Sequence, residues 1–287
     1  AGAGLPGVLP AEGDAVSATA TPADVLAGTA RWCVVEGDCL AVLATLPDAC
    51  IDAVVTDPPY SSGGAFRSDR AKSTASKYTQ GGATVRQNFS GDTLDQRVWM
   101  TWCVEWLEHV MRASTASGRL CAFIDWRQLP ALTDCVQRAG WIWRGIVPWD
   151  KGEGSRMLPD GFRTQCEYIV WASTGPLPVP HPGVLAHPGC FHFPVLQSDK
   201  HHQTGKPTPL MREVVKIAKP GGVILDPFAG SGTTGVAALM EGRRVILCER
   251  VPEYAAITRA RLAAADAGTD WRAPASQPSL FDAAVSR

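Results

Sequence analysis

A glycine-rich turn between an apolar run and a helix constrains the fold of this chain more than any other sequence feature. The run Val223–Leu225 leads into Asp226-Pro227-Phe228-Ala229-Gly230-Ser231-Gly232-Thr233-Thr234-Gly235, in which the glycines follow a GxGxxG spacing. Glycines at such a turn permit a tight bend and the close approach of a ligand, and the helix behind them offers free N–H groups to an anion. The turn therefore predicts a strand–turn–helix unit of an α/β fold with a ligand site at its apex.

An acidic residue follows at the spacing expected of a ribose-binding group. Glu249 lies 19 positions after Gly230, at the end of the predicted strand Val245–Cys248. In nucleotide-binding α/β folds a carboxylate at about this distance binds ribose hydroxyls. The two features fit a nicotinamide cofactor and S-adenosylmethionine alike, and glycines that merely turn the chain are a third interpretation that this segment leaves open.

Strand-like and helix-like segments alternate along the middle of the chain. The apolar residues between Val98 and Met111 follow helical spacing, and Ile51–Thr56 is typical of a buried strand. Further strands are predicted at Arg31–Val35, Leu120–Ile124, Trp141–Val147, Tyr168–Trp171, Val223–Leu225 and Val245–Cys248, and further helices at Leu40–Leu46, Gln128–Ala139, Pro209–Ala218, Thr233–Met240 and Pro252–Leu262. This alternation favours a mostly parallel sheet with helices on both faces.

The length of 287 residues fits one large α/β domain with insertions. Residues 1–30 are rich in Ala, Gly, Pro and Thr and are predicted to form a disordered tail, and residues 266–287 a flexible one. The domain is predicted to span residues 31–265. Polar stretches at about 61–97 and 176–203 are too long for simple connections and are interpreted as insertions.

Charge and cysteine usage narrow the class of protein. A net charge of −1 excludes a polybasic nucleic-acid coat, although a local basic face is sufficient to bind DNA. The nine cysteines form no CxxC pair and lie in apolar stretches, which favours reduced thiols in a cytoplasmic protein. No apolar run approaches the roughly 18 residues of a membrane span, and the first residues lack the pattern of a signal peptide.

A second strand-end motif, Asp57-Pro58-Pro59-Tyr60, follows the predicted strand Ile51–Thr56. The two prolines fix the backbone and lack N–H donors, which leaves the Asp57 carboxylate and the Pro58 carbonyl as acceptors. Two acceptors that bind the hydrogens of an aromatic amine favour a pyramidal nitrogen whose lone pair can attack a methyl sulfonium. Tyr60 can stack on a base. The alternative is a Pro-Pro turn in which Asp57 accepts backbone hydrogen bonds.

Together the two motifs resemble those of the amino-group DNA methyltransferases, which methylate N6 of adenine or N4 of cytosine. Other segments agree: His202-Gln203-Thr204-Gly205-Lys206-Pro207 is similar to the family's cofactor-flanking motif, Gly37-Asp38-Cys39 to the segment whose acidic residue faces the cofactor's adenine, and Cys248-Glu249-Arg250 to its ribose-binding strand end. Pro148-Trp149-Asp150-Lys151 and Glu167-Tyr168-Ile169-Val170 are similar to weaker sheet motifs. The resemblance spans about residues 31–265, and the combination is specific although no single segment is.

This resemblance implies a Rossmann-like methyltransferase fold that binds S-adenosyl-L-methionine. It implies a catalytic loop formed by Asp57, Pro58, Pro59 and Tyr60, and a cofactor site formed by Asp38, Thr204, Lys206, Asp226, Phe228, Gly230, Gly232 and Glu249. Phe228 is alternatively a core aromatic, and Lys206 alternatively caps a helix or pairs with a carboxylate. Because the catalytic loop precedes the glycine turn, the chain resembles the circularly permuted β class.

The first residue of the catalytic loop bears on which base is methylated. The chain has no Pro-Cys dipeptide, which excludes the thiolate chemistry of C5-cytosine enzymes. The resemblance implies direct attack by the amine without a covalent intermediate. Asp57 at the first position is more similar to adenine enzymes of the permuted class, whereas N4-cytosine members, the alternative, often carry Ser.

Methylation of an amine in duplex DNA requires that the base be flipped out, so the enzyme needs groups that grip the backbone. The candidates are basic residues in the two polar regions after the catalytic loop and after the fourth predicted strand, with a solvated loop as the alternative interpretation. They are Arg67, Arg70, Lys72, Lys77, Arg86, Arg97, Lys151, Arg156 and Arg163. Double-stranded DNA is the expected partner, and the resembling class also includes homodimers, enzymes paired with a restriction endonuclease, and orphan or phage-borne enzymes.

Two other interpretations of the function follow from the sequence. A nicotinamide-dependent oxidoreductase would leave Asp57–Tyr60 without a role, and a non-enzymatic DNA- or protein-binding module with a degenerate methyltransferase fold would not need intact motifs.

The residues His187, Cys190, His192, His201 and His202 match no strong zinc pattern, so no metal is predicted. Among the tryptophans, Trp149 is the candidate for a role at the site because it ends a predicted strand.

Overall fold

The computed structural model describes residues 20–61, 94–153, 155, 160–178, 186–194 and 206–272, and these residues form one eight-stranded sheet. The strands are β1 (Trp32–Glu36), β2 (Ile51–Thr56), β3 (Ser114–Ile124), β4 (Ile142–Asp150), β5 (Cys166–Ser173), β6 (Phe191–His192), β7 (Val223–Asp226) and β8 (Arg244–Glu249). Their order across the sheet is β1-β8-β7-β2-β3-β5-β4-β6. Only β5 runs antiparallel to its neighbours β3 and β4, which confirms the predicted mostly parallel sheet.

Helices cover both faces of this sheet, as predicted. They are α1 (Pro22–Ala27), α2 (Cys39–Thr45), α3 (Gln96–Ala113), α4 (Leu129–Arg138), α5 (Thr208–Val214) with a 3₁₀ turn at Val215–Ile217, α6 (Thr233–Met240) and α7 (Pro252–Asp266). One core packs α2, α3 and α4 on the sheet, and the other packs α5, α6 and α7. Alternate residues of β2 point to opposite faces, so Val54 enters the first core and Val55 the second.

At the centre of the sheet, the described helices that follow two adjacent parallel strands lie on opposite faces. β2 and β7 are parallel neighbours, and α3, the next described helix after β2, lies on the opposite face from α6, the helix after β7. Loops that leave two adjacent parallel strands toward opposite faces open a crevice at the carboxyl ends of those strands. Both predicted motifs follow these two strands. The circular permutation that the resemblance implied stays a prediction.

The predicted disordered tail of residues 1–30 is wrong for the residues from 20 onward, while residues 1–19 lie outside the described ranges. Thr21 and Asp24 form a capping box at the start of α1, and Val25 is fully buried against the sheet. A single buried Val in a short helix leaves too little periodicity in the sequence to mark the element.

The other end of the domain also extends further than the sequence indicated. Helix α7 continues to Asp266, and Trp271 beyond it is buried, with the Arg261 guanidinium 5.3 Å from its ring centroid. The flexible tail predicted from residue 266 is therefore wrong up to residue 272, where the described residues end. An isolated Trp next to polar residues gives no periodic signal.

Two strands differ from the prediction. β3 begins at Ser114 rather than Leu120. The sequence did not reveal this earlier start because the first half of β3 is polar, and the pairing of β3 with β2 shifts register between Ile51 and Ala53. The stretch interpreted as an insertion at 176–203 contains β6, a two-residue strand that pairs with the end of β4. A strand of two residues is too short to show a sequence pattern.

The cysteines are free thiols, and six of the nine are buried. Burial raises the pKa of the Cys33 and Cys39 thiols to about 12, which keeps them protonated and unreactive. Among the described residues, no helix is both long and apolar enough to cross a bilayer.

Candidate active site

The predicted catalytic loop lies at the carboxyl end of the buried strand β2. Pro58 is buried, and the indole Nε1 of Trp99 on α3 donates a 2.8 Å hydrogen bond to the Pro59 carbonyl. Ser61, which has a φ of 50°, accepts a hydrogen bond of 3.3 Å from the Leu94 N–H. These contacts hold the loop from both sides. Within the described ranges no hydrogen bond to the Pro58 carbonyl is present, so this acceptor faces no competing donor there.

Both carboxylate oxygens of Asp57 are engaged inside the protein. The Tyr60 hydroxyl donates to Oδ1 at 2.5 Å, and the Lys206 ammonium donates to Oδ2 at 2.6 Å. Lys206 Nζ also lies 3.1 Å from the Tyr60 hydroxyl. The alternative interpretation, that Asp57 accepts backbone hydrogen bonds, finds no such bond among the described residues. The carboxylate is therefore held by two side chains rather than by the backbone.

Glu167 on β5 completes this cluster, and sequence reasoning had given it only a place in a sheet motif. Its Oε2 lies 3.2 Å from Lys206 Nζ and 3.5 Å from the Tyr60 hydroxyl, while its Oε1 accepts a 3.2 Å hydrogen bond from Lys151. Because β5 runs antiparallel to β3, the start of β5 lies at the same sheet edge as the end of β2. The signal that could have identified it is a glutamate at the start of an apolar strand.

The resemblance placed Lys206 at the cofactor site, and in the structure Lys206 contacts the catalytic loop. Lys206 lies between two carboxylates, Asp57 and Glu167, and its side chain is 8% exposed. Its ammonium is also 5.2 Å from the ring centroid of Phe123 and 5.4 Å from that of Tyr60. The alternative of a carboxylate-paired lysine fits this position, and the role at the cofactor stays a prediction. Thr204, the other flanking residue, lies outside the described ranges.

The surroundings of the cluster shift the pKa values of its two carboxylates in opposite directions. Burial raises the pKa of Asp57, and Glu167 adds to this, although Lys206 opposes it. Burial would also raise the pKa of Glu167, but Lys206 and Lys151 outweigh burial and leave that pKa below its usual value. Burial likewise opposes the charge of Lys206, yet Asp57 and Glu167 raise its pKa. Burial, Asp57 and Glu167 hold the pKa of Tyr60 well above its usual value, so its hydroxyl stays a donor. The two pKa values shift in opposite directions because Asp57 faces one ammonium and Glu167 faces two.

The glycine turn connects β7 to α6, as predicted. The N–H of Gly230 donates a 2.7 Å hydrogen bond to Oε2 of Glu249, and the N–H of Val251 donates to Oε1 at 2.8 Å. Burial raises the pKa of the Glu249 carboxyl. Each oxygen keeps a further lone pair, so Glu249 can still accept hydroxyl groups.

The three glycines of the motif have different tasks. Gly230 has a φ of 54°, and a Cβ there would meet no atom within 4 Å, so open space lies in front of it. Gly232 has a φ of 81°, and a Cβ there would lie 2.6 Å from Cγ2 of Thr258. A Cβ on Gly235 would lie 2.6 Å from Leu262. Gly230 thus suits the approach of a ligand, whereas Gly232 and Gly235 allow α7 to pack closely.

Asp226 is 2% exposed and links the two motifs. Its Oδ1 accepts hydrogen bonds from the Thr56 hydroxyl at 2.6 Å and from the Phe228 N–H at 3.0 Å. Burial raises the pKa of Asp226 to about 6, despite hydrogen bonds from Thr234 and Thr56. The carboxyl is therefore shared between charged and neutral forms near neutral pH.

Two further predicted cofactor residues flank the turn. The ring of Phe228 packs against Trp102 and Trp106 of α3, with centroid distances of 5.3 and 5.4 Å, so it contributes to the core as its alternative interpretation held. Asp38 follows β1, caps α2 through the Leu40 N–H and is half exposed. Both lie at strand ends on the side of the glycine turn.

Most candidate DNA contacts cannot be placed, because Arg67, Arg70, Lys72, Lys77, Arg86 and Arg156 lie outside the described ranges. Lys151 is placed, and it pairs with Glu167. Arg97 is exposed at the start of α3, while the Arg163 guanidinium donates to the carbonyls of Glu153 and Ser155. The described residues contain no group of three or more His, Cys, Asp or Glu side chains that could hold a metal ion.

The proposed role of Trp149 at the site is wrong. Trp149 is 2% exposed, packs edge-on against Phe123 and donates from Nε1 to the Phe193 carbonyl at 2.9 Å. Both faces of its ring are therefore enclosed, and it cannot stack on a base. Its position near the end of a strand was a correct prediction, and its backbone pairs there with Phe191 of β6.

The sequence matches one family model over most of its length. The model, described as DNA methylase and covering the N6 and N4 enzymes, matches residues 51–182 and 186–260, which include both motifs. The candidate methylase YubD of Escherichia coli (strain K12) is 29% identical over 249 residues, covering 84% of this chain and 97% of that protein.

Solved structures share the fold at lower identity. The DNA modification methylase TTHA0409 from Thermus thermophilus, in its complex with S-adenosyl-L-methionine, is 21% identical with a TM-score of 0.59 and covers 83% of this chain and 97% of its own. The cytosine-N4-specific PvuII DNA methyltransferase is 17% identical with a TM-score of 0.59 and covers 80% of this chain and 86% of its own. The eight-stranded arrangement is thus that of the methyltransferase fold.

Proposed function

Because the chain belongs to the DNA methylase family of N6 and N4 enzymes, we propose that it methylates the exocyclic N6 amine of adenine in duplex DNA with S-adenosyl-L-methionine. The observation that carries this proposal is the acceptor cluster around Asp57, next to the glycine turn. The two sites adjoin because Thr56, which precedes Asp57, donates to Asp226, which begins the turn. The cofactor that donates the methyl group and the amine that receives it need such adjacent sites.

The residues around the glycine turn fit the cofactor. Open space in front of Gly230 would accept a ligand that a side chain there would exclude. Glu249 would accept hydrogen bonds from ribose hydroxyls, Asp38 would lie near the adenine, and Asp226 and Phe228 would line the same site. When bound, S-adenosyl-L-methionine supplies an electrophilic methyl group on a sulfonium.

The catalytic loop prepares the amine for direct attack. Asp57 and the Pro58 carbonyl accept the two amine hydrogens, which favours a pyramidal nitrogen with a directed lone pair. The methylated nitrogen then carries an extra proton, and Asp57 can accept it because burial makes this carboxylate more basic. No covalent bond between protein and base is needed. The ring of Tyr60 is proposed to stack on the flipped base.

The choice of adenine rests on Asp57 as the first residue of the loop. The same two acceptors would serve the N4 amine of cytosine, so the product has to be identified directly. Purified protein is incubated with S-adenosyl-L-methionine and unmethylated DNA of mixed sequence, and the nucleosides are analysed by mass spectrometry after digestion.

N6-methyldeoxyadenosine is the expected product, and it should be missing when Asp57→Ala is used. N4-methyldeoxycytidine would overturn the choice of base while leaving the amine chemistry in place. If the protein binds the cofactor and yields no methylated nucleoside, the proposed activity on DNA is wrong. Binding of a nicotinamide dinucleotide instead would favour the oxidoreductase interpretation.

A further inference from the structure

Glu167 is the one acidic side chain of the described site that bonds to both of the site's ammonium groups. Its Oε1 lies 3.2 Å from Lys151 Nζ, and its Oε2 lies 3.2 Å from Lys206 Nζ. Its side chain is 21% exposed, and it faces Asp57 across Lys206. The cluster contains two carboxylates, Asp57 and Glu167, and two ammonium groups, Lys151 and Lys206, so its four charges sum to zero.

An amine that binds to Asp57 competes with the groups already bonded there. Oδ1 of Asp57 is bonded to the Tyr60 hydroxyl and Oδ2 to the Lys206 ammonium. Each oxygen keeps a further lone pair, but a target amine that shares an oxygen with its present partner weakens the bond to that partner. Lys206 is the partner closer to a second carboxylate, since Glu167 Oε2 lies 3.2 Å from its ammonium and 3.5 Å from the Tyr60 hydroxyl.

We propose that Glu167 is a positioning residue that takes over Lys206 when the target amine binds, so that Oδ2 of Asp57 becomes the acceptor for that amine. This inference rests on the proposed function of Asp57. Lys206 is nearly buried, and an ammonium that left Asp57 without another carboxylate would be an uncompensated charge in a poorly solvated site. Glu167 removes that penalty because the ion pair persists throughout the exchange.

The charge of Glu167 has a second effect on the same acceptor. A neighbouring anion disfavours ionisation, so Glu167 makes the Asp57 carboxylate more basic and a stronger acceptor, while Lys206 acts in the opposite direction. The charged or titratable groups that face this cluster are Tyr60 on the same loop, Lys206 before α5, Glu167 on β5, Lys151 after β4, Asp226 at the end of β7 and Asp125 after β3.

The test is the variant Glu167→Gln, which keeps the size of the side chain and one acceptor oxygen but removes the charge. The kcat for DNA methylation should fall roughly tenfold to a hundredfold, as for other residues that orient a reacting group from behind it. The acid limb of the kcat–pH profile should move to lower pH, because the anion that raises the pKa of Asp57 is gone. Affinity for S-adenosyl-L-methionine should be nearly unchanged, which also shows that the variant is folded.

Two further variants make the result decisive. Glu167→Asp keeps the charge on a shorter side chain, so its acid limb should stay at the wild-type pH and part of kcat should return. Glu108→Gln, an exposed position on α3, should leave both quantities at wild-type values.

Each outcome bears on the proposal. Unchanged kcat and pH profile in Glu167→Gln would overturn it, and so would a lower kcat with the acid limb unmoved, since that pattern is expected of a purely structural defect. Wild-type protein that methylates no DNA would instead overturn the proposed function itself, and this inference with it.

Discussion

The hydroxyl of Thr56 donates a 2.6 Å hydrogen bond to Oδ1 of Asp226, and this contact joins the last residue of β2 to the last residue of β7. Both residues are buried at the centre of the sheet. Since the catalytic loop begins at Asp57 and the glycine turn at Pro227, the bond fixes the starting points of the two loops relative to each other. The crevice between the loops is thus built on the buried centre of the sheet.

The buried Asp226 should make stability depend on pH. Its pKa is raised from 3.8 to about 6, so its favourable contribution is fully present at pH values below about 4 and is lost as pH rises through 6. The loss is on the order of 3 kcal/mol in the free energy of unfolding. Asp226→Asn keeps Oδ1 for Thr56 and Phe228 and removes the charge.

Urea unfolding of both proteins at pH 5 and pH 7.5 measures this effect. The stability of Asp226→Asn relative to wild type should increase by roughly 1 kcal/mol between these pH values. The exposed substitution Asp134→Asn, measured in parallel, gives the baseline for an aspartate on the surface. An equal difference between Asp226→Asn and wild type at the two pH values would contradict the raised pKa.

Substitution of Asp57 should separate catalysis from cofactor binding. Asp57→Ala removes the carboxylate that accepts the amine hydrogens, so methyl transfer should fall by roughly a thousandfold or more. Lys206 retains Glu167 as a partner, and the space near Gly230 is unaffected. Calorimetric titration should therefore find cofactor affinity close to wild type. The exposed Asp134→Ala is the control, and loss of cofactor binding in Asp57→Ala would show that the loop is misassigned.

The glycine turn offers a matched pair for the opposite effect. Gly230 has a φ of 54° and Gly242 a φ of 70°, and a Cβ on either residue would meet nothing within 4 Å. Valine at either position therefore introduces a similar backbone strain of about 1–2 kcal/mol. Gly230→Val should lower cofactor affinity at least tenfold, about 1.4 kcal/mol, because its side chain enters the cofactor space.

Gly242→Val should bind the cofactor normally, since this residue precedes β8 at the opposite edge of the sheet. Thermal unfolding should show comparable destabilisation of the two variants. Normal cofactor affinity in Gly230→Val would place the cofactor elsewhere.

The indole of Trp99 should matter for the reaction more than for the fold. Its Nε1 donates to the Pro59 carbonyl at 2.8 Å, whereas Nε1 of the buried Trp141 donates to the Leu107 carbonyl at 3.1 Å, away from the loop. Phenylalanine at either position should cost about 1 kcal/mol from the lost hydrogen bond. Steady-state kinetics should show a lower kcat for Trp99→Phe alone; equal kcat values in the two variants would show that this bond does not position the loop.

Local sequence patterns were sufficient to locate most elements. Ile51–Thr56 and Thr233–Met240 have the predicted bounds, because one is flanked by Pro-rich turn residues and the other begins behind glycines. Helix α1 was not recognised, since one buried valine supplies its tertiary contact. Predicted strand β3 was too short, since its polar first half resembles a loop.

The sequence by itself determined the two motifs, because Asp57–Tyr60 and Asp226–Gly235 are contiguous and each follows a strand that ends at the same edge of the sheet. Only the tertiary structure decided which charges surround Asp57. Lys206 lies 149 positions from Asp57, and Glu167 lies 107 positions from Tyr60. Glu167 reaches the site because β5 runs antiparallel to β3 and so places its first residues at the carboxyl end of that strand. This relationship depends on strand pairing rather than on local composition.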